Sequence, residues 1–139
     1  MCHFALVGAR TDEAALRRIL GGKDCELDTN IPPDPRALGL FPVTDTVVCV
    51  TMNGCSCALL AGVGLSRSSN PTVHFAGPGY AFRRALAAAT LRFGRVTLLA
   101  FNSSRVVPPG EPPRQRTTTL AHFLRSGLEP GDRMVCINA

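Results

Sequence analysis

The sequence predicts a mixed α/β or α+β sandwich, a single domain over 1–139, with about five strands and three helices in the order β-α-β-β-α-β-α-β. Three observations predict it. Short apolar runs rich in β-branched residues alternate with stretches of helical periodicity. An Asn53-Gly54 pair inside one apolar run signals a tight hairpin turn, which inserts an antiparallel pair among crossover units and so makes the sheet mixed. A chain of 139 residues that is 45% hydrophobic suits one core.

The elements follow in order. Residues 2–8 form an apolar run that opens the chain as a strand. Thr11, Asp12 and Glu13 supply an N-cap and an acidic first turn for a helix that ends at Gly21-Gly22. Residues 24–45 hold Pro32, Pro33, Pro35 and Pro42, which predicts an extended connection with no ladder of its own. A hairpin is expected from strands at 47–51 and 56–60 around the Met52-Asn53-Gly54 turn. Residues 62–79 read as loop and feed a helix over 80–93, whose stripe of Phe82, Leu86, Ala89 and Phe93 has helical spacing. Gly94 ends it. The run at 96–101 reads as a buried strand, a Pro-rich loop follows, and a helix is expected over 117–126 with Gly127 as its stop. A Pro130-Gly131 turn then leads into a last strand.

Composition narrows the function classes. The net charge of +5 would suit a polyanion. The fifteen basic residues, all but Lys23 arginine, are however scattered in pairs such as Arg17-Arg18 and Arg83-Arg84. They lack interleaved aromatics in a chain with no Trp and one Tyr, so a nucleic-acid surface is not expected. Charges at Asp12, Glu13, Arg17 and Arg18 break any signal-peptide core in residues 1–20. No run approaches the ~20 apolar residues of a membrane span, and a cytoplasmic location is expected. Six cysteines are too few for a secreted disulfide scaffold and point to thiols, metal ligands or a redox couple. A protein or small-molecule partner and the oligomeric state are not specified by these features.

Chemistry is expected at Gly54-Cys55-Ser56-Cys57. Cys49 and Cys136 sit in apolar strands and read as small core hydrophobes, and Cys25 lies between carboxylates that disfavour a thiolate. Cys55 and Cys57 differ, because strand alternation past the turn would point both to one face, where they could converge on one ion. Zinc takes three or four ligands, so the metal-site expectation is Cys2, Cys55 and Cys57 with His3 or His74. His122 reads as an ordinary helix residue. With no acid near the hairpin to act as a base, a structural or binding role is favoured over a hydrolytic one. Three other readings use the same atoms: a strained, labile Cys55/Cys57 redox couple, an N-terminal Cys2 nucleophile, or a Cys55–His74 pair in acyl transfer. A small interaction module with incidental cysteines is the alternative from another class. The glycine-rich stretches 62–69 and 77–84 match neither a P-loop nor a dinucleotide fingerprint and read as loops and helix caps.

The Met1-Cys2 start, with Thr51, Gly54, Cys55 and Cys57, resembles a group of short uncharacterised bacterial proteins with a Met-Cys start and a Thr-x-Gly-x-Cys-x-Cys core. The resemblance covers the N-terminal two-fifths of the chain, with one extra residue between Thr51 and Gly54. It implies no activity. It implies only that Cys2, Cys55 and Cys57 form one constellation, a metal or thiol site.

Overall fold

The computed structural model describes residues 3–22, 25–31, 34–65, 77–102, 114–129 and 133–139. Among them are six strands and four helices: β1 (His3–Ala9), α1 (Glu13–Leu20), β2 (Glu26–Asp28), β3 (Thr46–Thr51), α2 (Cys57–Val63), α3 (Gly77–Phe93), β4 (Arg95–Asn102), β5 (Gln115–Thr119), α4 (Leu120–Ser126) and β6 (Met134–Asn138). The strands form one mixed sheet in the order β2-β3-β1-β4-β6-β5. Only the β5–β6 pair is parallel, with α4 lying between those two strands in the chain.

The mixed α/β class stands, and its details change. The segment expected as the second hairpin strand is helix α2. Its sequence, Cys-Ala-Leu-Leu-Ala-Gly-Val, is apolar almost throughout, so it shows no period that separates a buried helix from a buried strand. Residues 26–28 of the Pro-rich connection do form a ladder, pairing with β3 from Glu26–Thr51 to Asp28–Cys49. The helix expected over 117–126 begins at Leu120, because the Thr-rich stretch before it pairs as β5, and Thr119 caps α4 by accepting the His122 N–H at 3.1 Å.

Alternation along the strands sorts the core into two layers. Ala5, Val7 and Ala9 of β1, Val48 and Val50 of β3, Val96 and Leu98 of β4, and Val135 and Ile137 of β6 pack under all four helices, which contribute Leu16 and Leu20, Leu59, Leu60 and Val63, Phe82 and Leu86, and Leu120 and Phe123. The opposite face carries Leu6, Val47, Leu99 and Met134, covered by Leu40 and Phe41 from the connection between β2 and β3. The Phe41 ring lies so close over β1 that a Cβ on Gly8 would meet it at 2.4 Å.

That connection is pinned at Asp45, which is 1% exposed. Its Oδ1 accepts from Arg95 Nη2 at 3.3 Å and its backbone carbonyl accepts from Arg36 Nη1 at 3.3 Å, while Oδ2 has no hydrogen-bond partner among the described residues. Burial pushes the carboxyl above its ordinary value of 3.8, and Arg95 and Arg10 oppose that shift without cancelling it. The folded chain therefore holds this proton more tightly than the unfolded chain. Its contribution to stability must decline as pH rises from the ordinary value through the raised one, and the loss is complete above that. Asp34 moves the other way, held down by Arg36, so a whole-protein curve mixes both signs. The difference between wild type and Asp45→Asn isolates Asp45. Denaturation midpoints between about pH 4 and pH 7 should show the wild type losing stability relative to the variant as pH rises. A difference that is flat or of opposite sign would show that Asp45 stays ionised in the fold.

Candidate functional site

The site forms where β3 leaves the sheet. Asn53 and Gly54 both adopt positive φ, 55° and 77°, and Met52 and Cys55 exchange backbone hydrogen bonds at 2.8 and 3.3 Å across them. This is the two-residue hairpin turn expected from Asn-Gly, whose two left-handed residues match strand twist. The returning strand stops at once. Ser56 occupies the N-cap position of α2, and Cys57 is the first helical residue.

The two sulfurs are therefore related by a turn rather than by strand alternation. The Cys57 N–H donates to Cys55 Sγ at 3.2 Å, and the His3 N–H donates to Cys57 Sγ at 3.3 Å. Both cysteines are half-buried. A sulfur that accepts a backbone N–H is better stabilised as thiolate than as thiol, because the bond strengthens with the charge on the acceptor.

Ser56 is the residue that sequence reasoning missed. It is fully buried, and its hydroxyl accepts the Ala5 N–H at 2.9 Å and donates to the Val50 carbonyl at 2.5 Å. Ala5 and Val50 stand opposite each other in the β1–β3 ladder, so the hydroxyl bridges the two strands. The Ser56 N–H also donates to the His3 carbonyl at 2.8 Å. The signal in the sequence was a serine between two cysteines at a strand-to-helix junction, the position where a cap is normally sought. Here no side-chain cap bond forms, because the hydroxyl turns to β1 instead.

The other expected residues fall as follows. His3 begins β1 with an exposed side chain, and its backbone, not its imidazole, makes the bonds to the turn. Cys2 and His74 lie outside the described residues. Among the described residues no three His, Cys, Asp or Glu side chains gather closely enough to share an ion. Cys49 faces away from the helices, and burial together with the neighbouring Asp28 pushes its thiol up to about 11, which suppresses thiolate chemistry. Cys136 is buried and its thiol faces Asn138 Oδ1 at 3.8 Å; Cys25, between α1 and β2 in the chain, is partly buried against the core.

Of the glycine-rich stretches, residues 62–63 belong to α2 and 77–84 to α3, and residues 66–69 lie outside the described residues. Gly62 and Gly79 form the contact between those helices, and Gly64 ends α2 in the left-handed region. Several arginines have structural partners. Arg83 donates to the Phe123 and Leu124 carbonyls, both at 3.0 Å, Arg17 pairs with Glu13 and the Leu27 carbonyl, and Arg36 pairs with Asp34. No helix among the described residues is long and apolar enough to cross a membrane.

Comparison with known proteins finds no family model, no curated protein and no solved structure that matches this chain.

Proposed function

We propose that the 52–57 turn is the core of a thiolate site for a soft metal ion of the zinc type, with Cys55 and Cys57 as two sulfur donors and Cys2 as the third. His3 or His74 completes the set. The observation that carries this reading is the pair of N–H···S bonds, from Cys57 to Cys55 and from His3 to Cys57. Metal binding requires deprotonated sulfur, and backbone donors around thiolates offset their charge and orient them toward the ion. Cys2 is the natural third donor because it is covalently joined to His3, whose N–H and carbonyl both bond to the turn.

The role is structural or binding. No carboxylate joins the two cysteines among the described residues to serve as a general base for a metal-bound water. Chain of this composition purified without a His-tag should carry about one equivalent of zinc or copper, as a single three- or four-donor site would hold. The Cys55→Ser/Cys57→Ser double variant should carry none. Metal-free wild-type protein that is fully folded and does not take up added Zn²⁺ would overturn the reading.

The same N–H···S bonds support a second reading, a Cys55/Cys57 redox couple, since they lower the cost of the attacking thiolate. Thiol titration separates the two. A couple would cycle reversibly between two thiols and none at this turn in metal-free protein, whereas a metal site protects both thiols only while Zn²⁺ is present.

A further inference from the structure

We infer that Ser56 is the positioning residue of this site: by bridging β1 to the turn it sets the sulfur geometry, and with it the affinity for metal. The inference rests on the thiolate-metal reading above and deepens it. To the β1–β3 ladder and the His3–Cys57 bond, Ser56 adds a direct link between the start of β1 and the cysteine turn. At residue 56, β1 is joined to the turn twice, by the Ser56 N–H to the His3 carbonyl and by the Ala5 N–H to Ser56 Oγ, and the turn is joined back to β3 by Ser56 Oγ to the Val50 carbonyl.

These bonds bracket the contact that matters for the sulfur. The His3 N–H can reach Cys57 Sγ only while the His3 peptide is held against residue 56, because both groups of His3 bond to adjacent residues of the turn. A serine suits the position because its hydroxyl donates and accepts at once, and the site has one acceptor and one donor to satisfy. Alanine would leave the Ala5 N–H and the Val50 carbonyl without this partner in a fully buried place, and the ladder would have to close or admit water. Either response loosens the Ala5 side of the link that keeps His3 against residue 56, and with it the His3 N–H bond to Cys57 Sγ. Ser56 touches no ion in this scheme and acts through the cysteines.

The test uses Co²⁺ as a spectroscopic probe of thiolate ligation in the full-length chain. Ser56→Ala should bind Co²⁺ roughly 10–100-fold more weakly, the range typical for loss of a group that orients a ligand. Its thiolate-to-metal absorption should shift, and amide exchange at His3 and Ala5 should accelerate. Thr90→Ala is the control: it removes another fully buried hydroxyl, one that donates to the Leu86 carbonyl within α3, and should leave Co²⁺ affinity unchanged. Ser56→Ala with wild-type affinity and spectrum overturns the inference. Should Ser56→Ala fail to fold, His3→Pro removes the N–H donor to Cys57 together with the imidazole, at a first-strand position where proline is tolerated, and His3→Ala removes the imidazole alone. His3→Pro should bind Co²⁺ more weakly than His3→Ala, and equal binding by the two overturns the inference. If the wild type binds no Co²⁺, the metal reading fails by itself, and alkylation of Cys55 and Cys57 by iodoacetamide decides the role of Ser56. Rates should rise several-fold in Ser56→Ala, and unchanged rates count against it.

Discussion

Gly62→Ala is expected to destabilise the protein by roughly 3 kcal/mol or more, a drop in Tm of roughly 10 °C for a chain of this size. A Cβ at residue 62 would sit 2.1 Å from the Gly79 carbonyl carbon and 2.3 Å from its Cα. Those are backbone atoms of α3, so no side-chain rotation can make room, and α2 must move off α3. Gly79 is in the same position from the other side, since its own Cβ would lie 2.7 Å from the Ala58 carbonyl oxygen. Alanine normally stabilises a helix interior by about 1 kcal/mol over glycine. The clash must exceed that gain, which makes the sign of the effect diagnostic. Because α2 starts at Cys57, the same substitution should also speed thiol alkylation at the turn and weaken the metal binding proposed for it. Thermal unfolding and iodoacetamide kinetics on the purified variant check both effects. A Gly62→Ala protein as stable as wild type would mean that the two helices do not cross at these glycines.

The α2–α3 crossing also shows why part of the fold was not legible in the sequence. The amphipathic helix α3, the capped helix α1 and the Asn53-Gly54 turn each carry a local signature, and each was read correctly in kind. Helix α2 carries only flanking ones, a serine before it and a glycine after it. Its seven residues are apolar almost throughout, and what makes them helical is a tertiary contact, a glycine at residue 62 meeting a glycine at residue 79. β5 failed for the opposite reason, since Gln-Arg-Thr-Thr-Thr leads into an apolar helix and looks like its first turn until pairing with β6 is known. β2 is three residues long and is defined wholly by its partner β3. The candidate site divides in the same way. Thiols at Cys55 and Cys57 are visible as residue types at a spacing, but the N–H···S bond to Cys57 arises because His3 is brought to the turn from more than fifty residues away, while the one to Cys55 is local to the turn. Ser56 is visible in the sequence only as a cap-type residue before an apolar run, because its hydrogen-bond partners, Ala5 and Val50, are chosen by strand register.

Phe123→Ala should be as destabilising as Gly62→Ala and should leave the thiol turn intact. Phe123 is among the largest fully buried side chains, and removing it leaves a cavity under α4 at a cost of about 3–5 kcal/mol, or roughly 10–20 °C in Tm. The Arg83 guanidinium lies over its ring at 5.5 Å from the centroid, so a cation–π contact worth about 0.5–1 kcal/mol goes with it. The two bonds from Arg83 to the Phe123 and Leu124 carbonyls go to backbone atoms and survive the truncation, as does the Gly127 N–H bond to the Phe123 carbonyl. Helix α4 therefore keeps its C-terminal anchor and the chain should still fold. α4 packs on α3, β5 and β6, and its exit loop meets α2 at Val63, the opposite end of that helix from Cys57. Below its lowered Tm the variant should bind Co²⁺ and react with iodoacetamide as the wild type does. Measured beside Gly62→Ala at matched fractions folded, it separates a loss of stability from a loss of the site. If Phe123→Ala also lost the thiol behaviour, the geometry at Cys55 and Cys57 would depend on the whole helical layer rather than on Ser56 and the start of β1.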